Sequence, residues 1–280
     1  MTARLRAARL PSQTIPCPYL AGLEARFTDY LLVEYDAEAL SQLLEHGYRR
    51  FGRHLFRPAC PGAPGASWCG ACLPLRVPTA RFQPSRSQRR VLRRGADVEL
   101  RIGRPVYSEE KYEIYRRHKQ RFPRPDAAGE GAGDRGELAG EGAEDEAQRR
   151  ESFRFSFYDG NPFTQECEYR LEGRLIAFSL LDLTARCASS IYACFDPELA
   201  PLSPGTLSAL REIESARERG IPYYYLGYAI HGNPSMRYKL EFRPNEVFDG
   251  AEWRPFRDAD GRYRFDPAAF RAGRWAAELG

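Results

Sequence analysis

A chain of 280 residues, 42% hydrophobic and 12% aromatic, holds enough apolar material for one large core or two small ones. Its longest apolar runs, such as Leu175–Leu181, are too short to cross a membrane. The opening MTARLRAARLPSQTIP lacks the apolar stretch of a secretory signal, so a cytoplasmic protein is expected. The net charge of +4 conceals two populations: residues 126–148 carry eight acidic side chains and one arginine, a local −7, so the remainder carries +11. A basic body of that kind suits a polyanionic partner.

In chain order, Asp36 reads as an N-cap, Leu40, Leu43 and Leu44 as an apolar helical stripe, and Gly47 as its stop. GYRRFGRHLFRP is strand-like and arginine-rich. A cysteine-bearing loop and LPLRVPTARF follow. Cys60, Cys69 and Cys72 form C-x8-C-x2-C, with Cys17 upstream beside a turn. Four thiols in a reducing compartment suit tetrahedral Zn²⁺ or an iron–sulfur cluster, the competing reading being a reduced surface knuckle and core thiols. PSRSQRRVLRR predicts a helix with Ser85 and Gln88 as a capping box and Gly95 as its end. Arg86, Arg89, Arg90, Arg93 and Arg94 then share one face.

ADVELRI alternates as a half-buried strand, and Ser108 starts a helix through Tyr112, Tyr115, Lys119 and Phe122. Residues 126–151, rich in Gly, Ala and Glu, cannot bury enough apolar surface to offset chain entropy and are expected to be disordered. Phe153, Phe155 and Phe157 alternate in the manner of a strand. CEYRLEG, RLIAFSLLDL and SSIYACFDP read as strands, Thr206–Arg219 as a helix and PYYYLGY as the next strand. Cys167, Cys187 and Cys194 fall in these strands and read as small core residues. The expectation is an α+β protein: a Cys-containing N-terminal region over 14–95, a GNAT-like mixed sheet with covering helices over 96–250, and a tail over 251–280. His46, His54, His118 and His231 show no triad spacing.

The segments CPYL, GYRRFGRHLFRP, CGACLPLRV, FQPSRSQRR, YYYLGY and MRYKLEFRP, with Glu246 beyond, resemble the tRNA-dependent aminoacyl-protein transferases of the N-degron pathway. The branch most resembled is the bacterial aspartate/glutamate leucyltransferases, relatives of the arginyltransferases. The departure is PGAPGASW between Cys60 and Cys69, where the family has a compact cysteine cluster. The resemblance implies transfer of leucine from Leu-tRNA to proteins beginning with Asp or Glu, with no cofactor required for the chemistry. A free α-amine, pKa about 7.7–8.0, would attack an activated ester, so positioning and oxyanion stabilisation should dominate.

For the acceptor carboxylate the candidates are Arg76, Arg86 and Arg89, because a guanidinium offers a bidentate fork. For tRNA phosphates they are Arg90, Arg93, Arg94, Arg237 and Lys239. Tyr228, Tyr238 and Lys239 are expected at the aminoacyl end, with Tyr228 stacking on the terminal adenosine. Two rivals are an arginyl donor and a non-catalytic, metal-stabilised RNA-binding module. An acetyl-CoA enzyme is disfavoured because PLSPGT stands where the pyrophosphate loop would be.

Overall fold

The computed structural model describes residues 3–61, 69–121, 146–158, 161–230 and 232–257. The acidic segment 126–145, the tail from 258 onward and His231 lie outside the described residues. The first sheet comprises β1 (Leu5–Arg9), β2 (Thr14–Pro16), β3 (Glu24–Tyr35), β4 (Arg49–Phe51) and β5 (His54–Pro58), all antiparallel, in the order β1-β3-β5-β4 with β2 paired to β3. The second has eight strands: β6 (Leu73–Pro78), β7 (Val98–Gly103), β8 (Thr164–Leu171), β9 (Arg174–Leu183), β10 (Cys187–Phe195), β11 (Tyr223–Ala229), β12 (Glu246–Phe248) and β13 (Trp253–Pro255). Their order is β13-β12-β6-β11-β10-β9-β8-β7, antiparallel except for β10 beside β11.

This topology revises the expected organisation. β6 precedes the boundary expected near residue 95, yet it is hydrogen-bonded between β12 and β11 inside the larger sheet. Residues 251–257 are not a tail, since β13 closes an edge of that sheet and Trp253 packs edge-on to Tyr225, 5.5 Å away.

Helices cover both faces of the large sheet. α2 (Arg86–Arg94) and α5 (Pro204–Glu218) share one core, in which Val91, Leu207, Leu210 and Ile213 meet Leu75, Ile176 and Leu226. α3 (Glu109–Lys119) and α4 (Glu146–Tyr158) close the other, where Tyr112, Ile114, Phe153 and Phe157 meet Phe178, Leu180 and Tyr192. Burial on both faces explains why RLIAFSLLDL is a continuous apolar run and not an alternating one. The expected strand at Phe153–Phe157 is helix instead. Phe153 and Phe157 are buried four residues apart, and Phe155 between them is 61% exposed, which is helical spacing. The same helix takes in residues 146–151 of the segment expected to be disordered.

Local signals elsewhere act as their chemistry dictates. The Asp36 side chain accepts from the Ala39 N–H and starts α1 (Ala37–Glu45), and Ser85 and Gln88 form a reciprocal capping box on α2. Gly95 ends α2 against α5, where an added Cβ would lie 2.6 Å from the buried Leu207 side chain. No described helix is long and apolar enough to cross a membrane.

Candidate active site

β10 and β11 pair in parallel for only three positions, Cys187 with Tyr223, Ala188 with Tyr224 and Ser189 with Tyr225. Both strands then become irregular, β10 between Ser190 and Tyr192 and β11 between Tyr225 and Gly227, and they separate. A cavity of about 470 Å³ opens at this split. Ser190, Gly227 and Tyr228 line it from the strands, Ser203 and Thr206 from the start of α5, and Met236, Tyr238 and Lys239 from the segment after α6 (Pro234–Arg237) begins.

The split is held by an arginine that sequence reasoning quoted within a motif but gave no role. Arg49 of β4 donates through Nη2 to the Ser190 carbonyl at 2.5 Å and through Nη1 to Ser189 Oγ at 3.3 Å. It passes over Gly227, whose φ is +87° and where a Cβ would meet Arg49 Cζ at 3.1 Å. Glycine in YYYLGY therefore serves both the left-handed backbone and the close approach of the guanidinium. Its neighbour Arg50 is buried in a fork to Asp182, with Nε–Oδ2 at 2.7 Å and Nη2–Oδ1 at 2.6 Å, and Thr164 Oγ1 donates to Asp182 Oδ1 at 2.7 Å. That pair ties the small sheet to the large one beside the cavity, which Arg50 also lines.

The cavity is cationic. Arg49, Arg121 and Lys239 line it, and none of the described residues lining it is an aspartate or glutamate. α5 begins at a sharp bend, Ser203 having φ 54° and Pro204 following at the first turn, so the positive end of the helix adjoins the cavity. His118 also lines it and stays neutral near pH 7: burial first, then the neighbouring Arg121, pushes its imidazole down to about 4.

The residues expected at the aminoacyl end, Tyr228, Tyr238 and Lys239, come together at this cavity. Tyr228 differs in manner. Its ring is buried and its hydroxyl donates to the carbonyls of Gly47 at 3.2 Å and Phe56 at 3.4 Å, so it shapes the wall and has no open face for a base. Tyr238, 38% exposed, offers the accessible ring.

The arginines expected to hold the acceptor carboxylate do not line the cavity. Arg76 already holds a carboxylate, that of Glu246, at 2.7 Å, and its guanidinium lies over the rings of Tyr223 and Trp253 at 3.8 and 4.4 Å. Arg86 and Arg89 are exposed at the start of α2, where Arg89 Nη1 donates to the Pro84 carbonyl. Arg90, Arg93, Arg94 and Arg237 are exposed as well. α2 is bonded near the cavity: Arg94 Nη2 donates at 3.4 Å to Oγ of Ser203, which lines it, and Gln88 Nε2 donates at 3.3 Å to the carbonyl of Glu241, two residues past the lining Lys239.

Cys17, Cys60 and Cys69 pack in one small cluster with Ala25, Phe27 and Phe56, and Cys72 lies with Cys60 along a second cavity of about 480 Å³. The Cys60 thiol donates to the Arg26 carbonyl and accepts from the Arg26 N–H, both at 3.4 Å, while burial pushes the Cys69 thiol up. Among the described residues no group of three or more His, Cys, Asp or Glu side chains is placed to hold a metal ion. The four thiols have the donor chemistry of a Zn²⁺ or iron–sulfur site without its geometry, and no chemical step is routed through them. Cys167, Cys187 and Cys194 are buried core thiols, as expected.

The family model for the C terminus of arginine-tRNA-protein transferase matches residues 110–249, and that for its N terminus matches residues 15–90. An aspartate/glutamate leucyltransferase of Chromobacterium violaceum is 34% identical over 239 residues, covering 85% of this chain and 89% of that protein. One of Pseudomonas putida is 33% identical over 257 residues, covering 90% and 98%. Among solved structures, L-PGS from Bacillus licheniformis aligns at a TM-score of 0.38 and 13% identity over 57% of this chain and 47% of that one, too distant to carry an argument.

Proposed function

The chain belongs to the arginine-tRNA-protein transferase family, and on that premise we propose that it moves leucine from Leu-tRNA to the N-terminal Asp or Glu of a protein, creating an N-degron. The protein is an aminoacyltransferase. Leucine is favoured over arginine as the donor side chain by the names its bacterial relatives carry. The same reading makes the enzyme cytoplasmic and the large mixed sheet, with its split parallel pair, a GNAT-like acyltransferase core.

The observation that carries the proposal is the cationic cavity at the β10–β11 split, to whose lining residue Ser203 the end of α2 is bonded through Arg94. In this reading the arginine face of α2 holds acceptor-stem phosphates of the tRNA, and the 3′ end enters the cavity beside Tyr238 and Lys239. The acceptor carboxylate moves from Arg76, occupied by Glu246, to the cavity's own cations Arg49 and Arg121. The amine nitrogen attacks the ester carbonyl, and the positive start of α5 together with Lys239 stabilises the oxyanion. The donor ester is already activated, so the transfer needs no added cofactor.

The test is transfer of labelled amino acid from Leu-tRNA and, separately, Arg-tRNA to peptides beginning with Asp, Glu, Ala or Lys. Leucine arriving on the Asp and Glu peptides alone is the expected result. Arginine arriving instead, or leucine arriving equally on Ala and Lys peptides, would overturn the reading.

A further inference from the structure

Beneath the cavity lies a carboxylate that the reaction as described above does not use. Glu212, on the buried face of α5, is 1% exposed. Three hydroxyls donate to it: Ser179 of β9 to Oε1 at 2.6 Å, Tyr169 of β8 to Oε1 at 3.1 Å, and Tyr224 of β11 to Oε2 at 2.5 Å. Among the described residues no arginine or lysine bonds it, and the other titratable groups facing it are the buried Cys167 thiol and the phenol of Tyr238, which lines the cavity. A carboxylate this deep ordinarily has a cation as partner, because hydroxyls alone offset only part of the desolvation cost. Arg50 with Asp182 and Lys111 with Glu166 follow that rule in the same fold. Glu212 does not. Burial accordingly holds its carboxyl above the usual carboxylate range, with the three hydroxyls opposing, which makes it a better proton acceptor than a surface glutamate.

The network is also open at one end. The Tyr224 phenol, which donates to Glu212, has the Ser190 side chain as its neighbour on the cavity side, an influence that opposes the burial holding the phenol up. Ser190 is the first β10 residue past the last parallel pair with β11, and it lines the cavity together with Tyr224. Arg49 pins the Ser190 backbone by its carbonyl and bonds the hydroxyl of Ser189 beside it. Two hydroxyls, those of Ser190 and Tyr224, thus stand between the reaction cavity and a buried carboxylate.

We propose that Ser190, Tyr224 and Glu212 form a relay that takes a proton from the attacking amine and returns it to the leaving ribose oxygen. The inference rests on the transferase reading given above. When the amine nitrogen bonds to the ester carbon, its excess proton passes to Ser190 Oγ, the Ser190 proton to Tyr224 and the Tyr224 proton to Glu212. When the carbon–oxygen bond to the ribose breaks, the shifts reverse and the oxygen leaves as a hydroxyl. The amine loses one proton, the alcohol gains one, and the enzyme ends as it began. Ser190 contacts the reacting groups; Tyr224 and Glu212 act through it.

Tyr224→Phe and Ser190→Ala interrupt the relay with loss of one oxygen each, and Glu212→Gln keeps the shape of its far end. Single-turnover leucine transfer is measured for each, with the KM for an Asp-initiated peptide, tRNA affinity, melting temperature and the solvent deuterium isotope effect. The relay predicts a rate loss of at least about tenfold in Tyr224→Phe and Ser190→Ala, unchanged peptide KM and tRNA affinity, and an altered isotope effect. Because Glu212→Gln removes a buried charge, its folding is scored separately and the two hydroxyl variants decide. A wild-type rate in either of them, or a loss confined to KM, overturns the relay. Wild-type turnover is the separate test of the transferase reading: absent turnover overturns both, whereas normal wild-type turnover with unaffected variants overturns the relay alone.

Discussion

Arginine dominates this chain, 39 residues against 3 lysines, and individual arginines have different uses that exposure and partner decide. Arg50 is structural: its fork to Asp182 is buried on both sides, with side-chain exposures of 3% and 2%. Asp182→Ala would strand a buried guanidinium and is expected to cost about 3–5 kcal/mol, measurable as a lowered midpoint in urea unfolding. Arg76, chosen from sequence for a substrate carboxylate, is satisfied by Glu246 from the strand beside it. Arg49 shapes the cavity through Gly227 and Ser190. His118 has its own signature. Its folded value of about 4 lies below the ordinary 6.5, so the unfolded chain takes up the proton first as pH falls. The stability it contributes is complete above 6.5 and is lost on the way down to 4. Between about pH 7 and about pH 5 the wild type should lose roughly 2 kcal/mol more than His118→Gln. Equal losses would show that His118 does not titrate in this way.

At the scale of elements, α2 is the clearest case of structure written into local pattern. Its cap, its stop and its five-arginine face were all legible, because capping and helical periodicity are short-range. The three strands β8, β9 and β10 and the helix α5 were legible for the same reason. What local pattern could not supply was partnership. LPLRVP gave no sign that it would cross into the large sheet as β6, because strand pairing is a long-range contact. Phe153–Phe157 alternated like a strand, yet Phe155 is exposed and the other two phenylalanines set a helical face. Tyr238 and Lys239 were found at the cavity through a resembled motif. Ser190 and Glu212 were invisible, a serine and a glutamate with nothing in their neighbours to mark them. For α2 the expected result is specific. Replacing Arg90, Arg93 and Arg94 together with alanine should weaken tRNA binding and flatten its salt dependence by about three phosphate contacts' worth of slope, leaving the peptide KM unchanged. An unchanged salt slope would remove the helix from the tRNA interface.

Across the whole molecule, the small antiparallel sheet, the large mixed sheet and its helices meet at one place. β4 sends Arg49 into the split, β10 and β11 provide its floor, and α5 and the 234–239 segment provide its walls. Residues far apart in sequence are thereby gathered around a cationic chamber whose described lining holds no carboxylate, suited to a polyanionic donor and an acidic acceptor. The central claim is that leucine changes hands in this chamber. It is tested most directly by filling the chamber with Thr206→Trp, at the start of α5 where the residue lines it, and measuring single-turnover transfer from Leu-tRNA to an Asp-initiated peptide. With melting temperature and tRNA affinity held near the wild-type values, transfer should fall at least about 100-fold; a wild-type rate in the filled variant would place the reaction elsewhere.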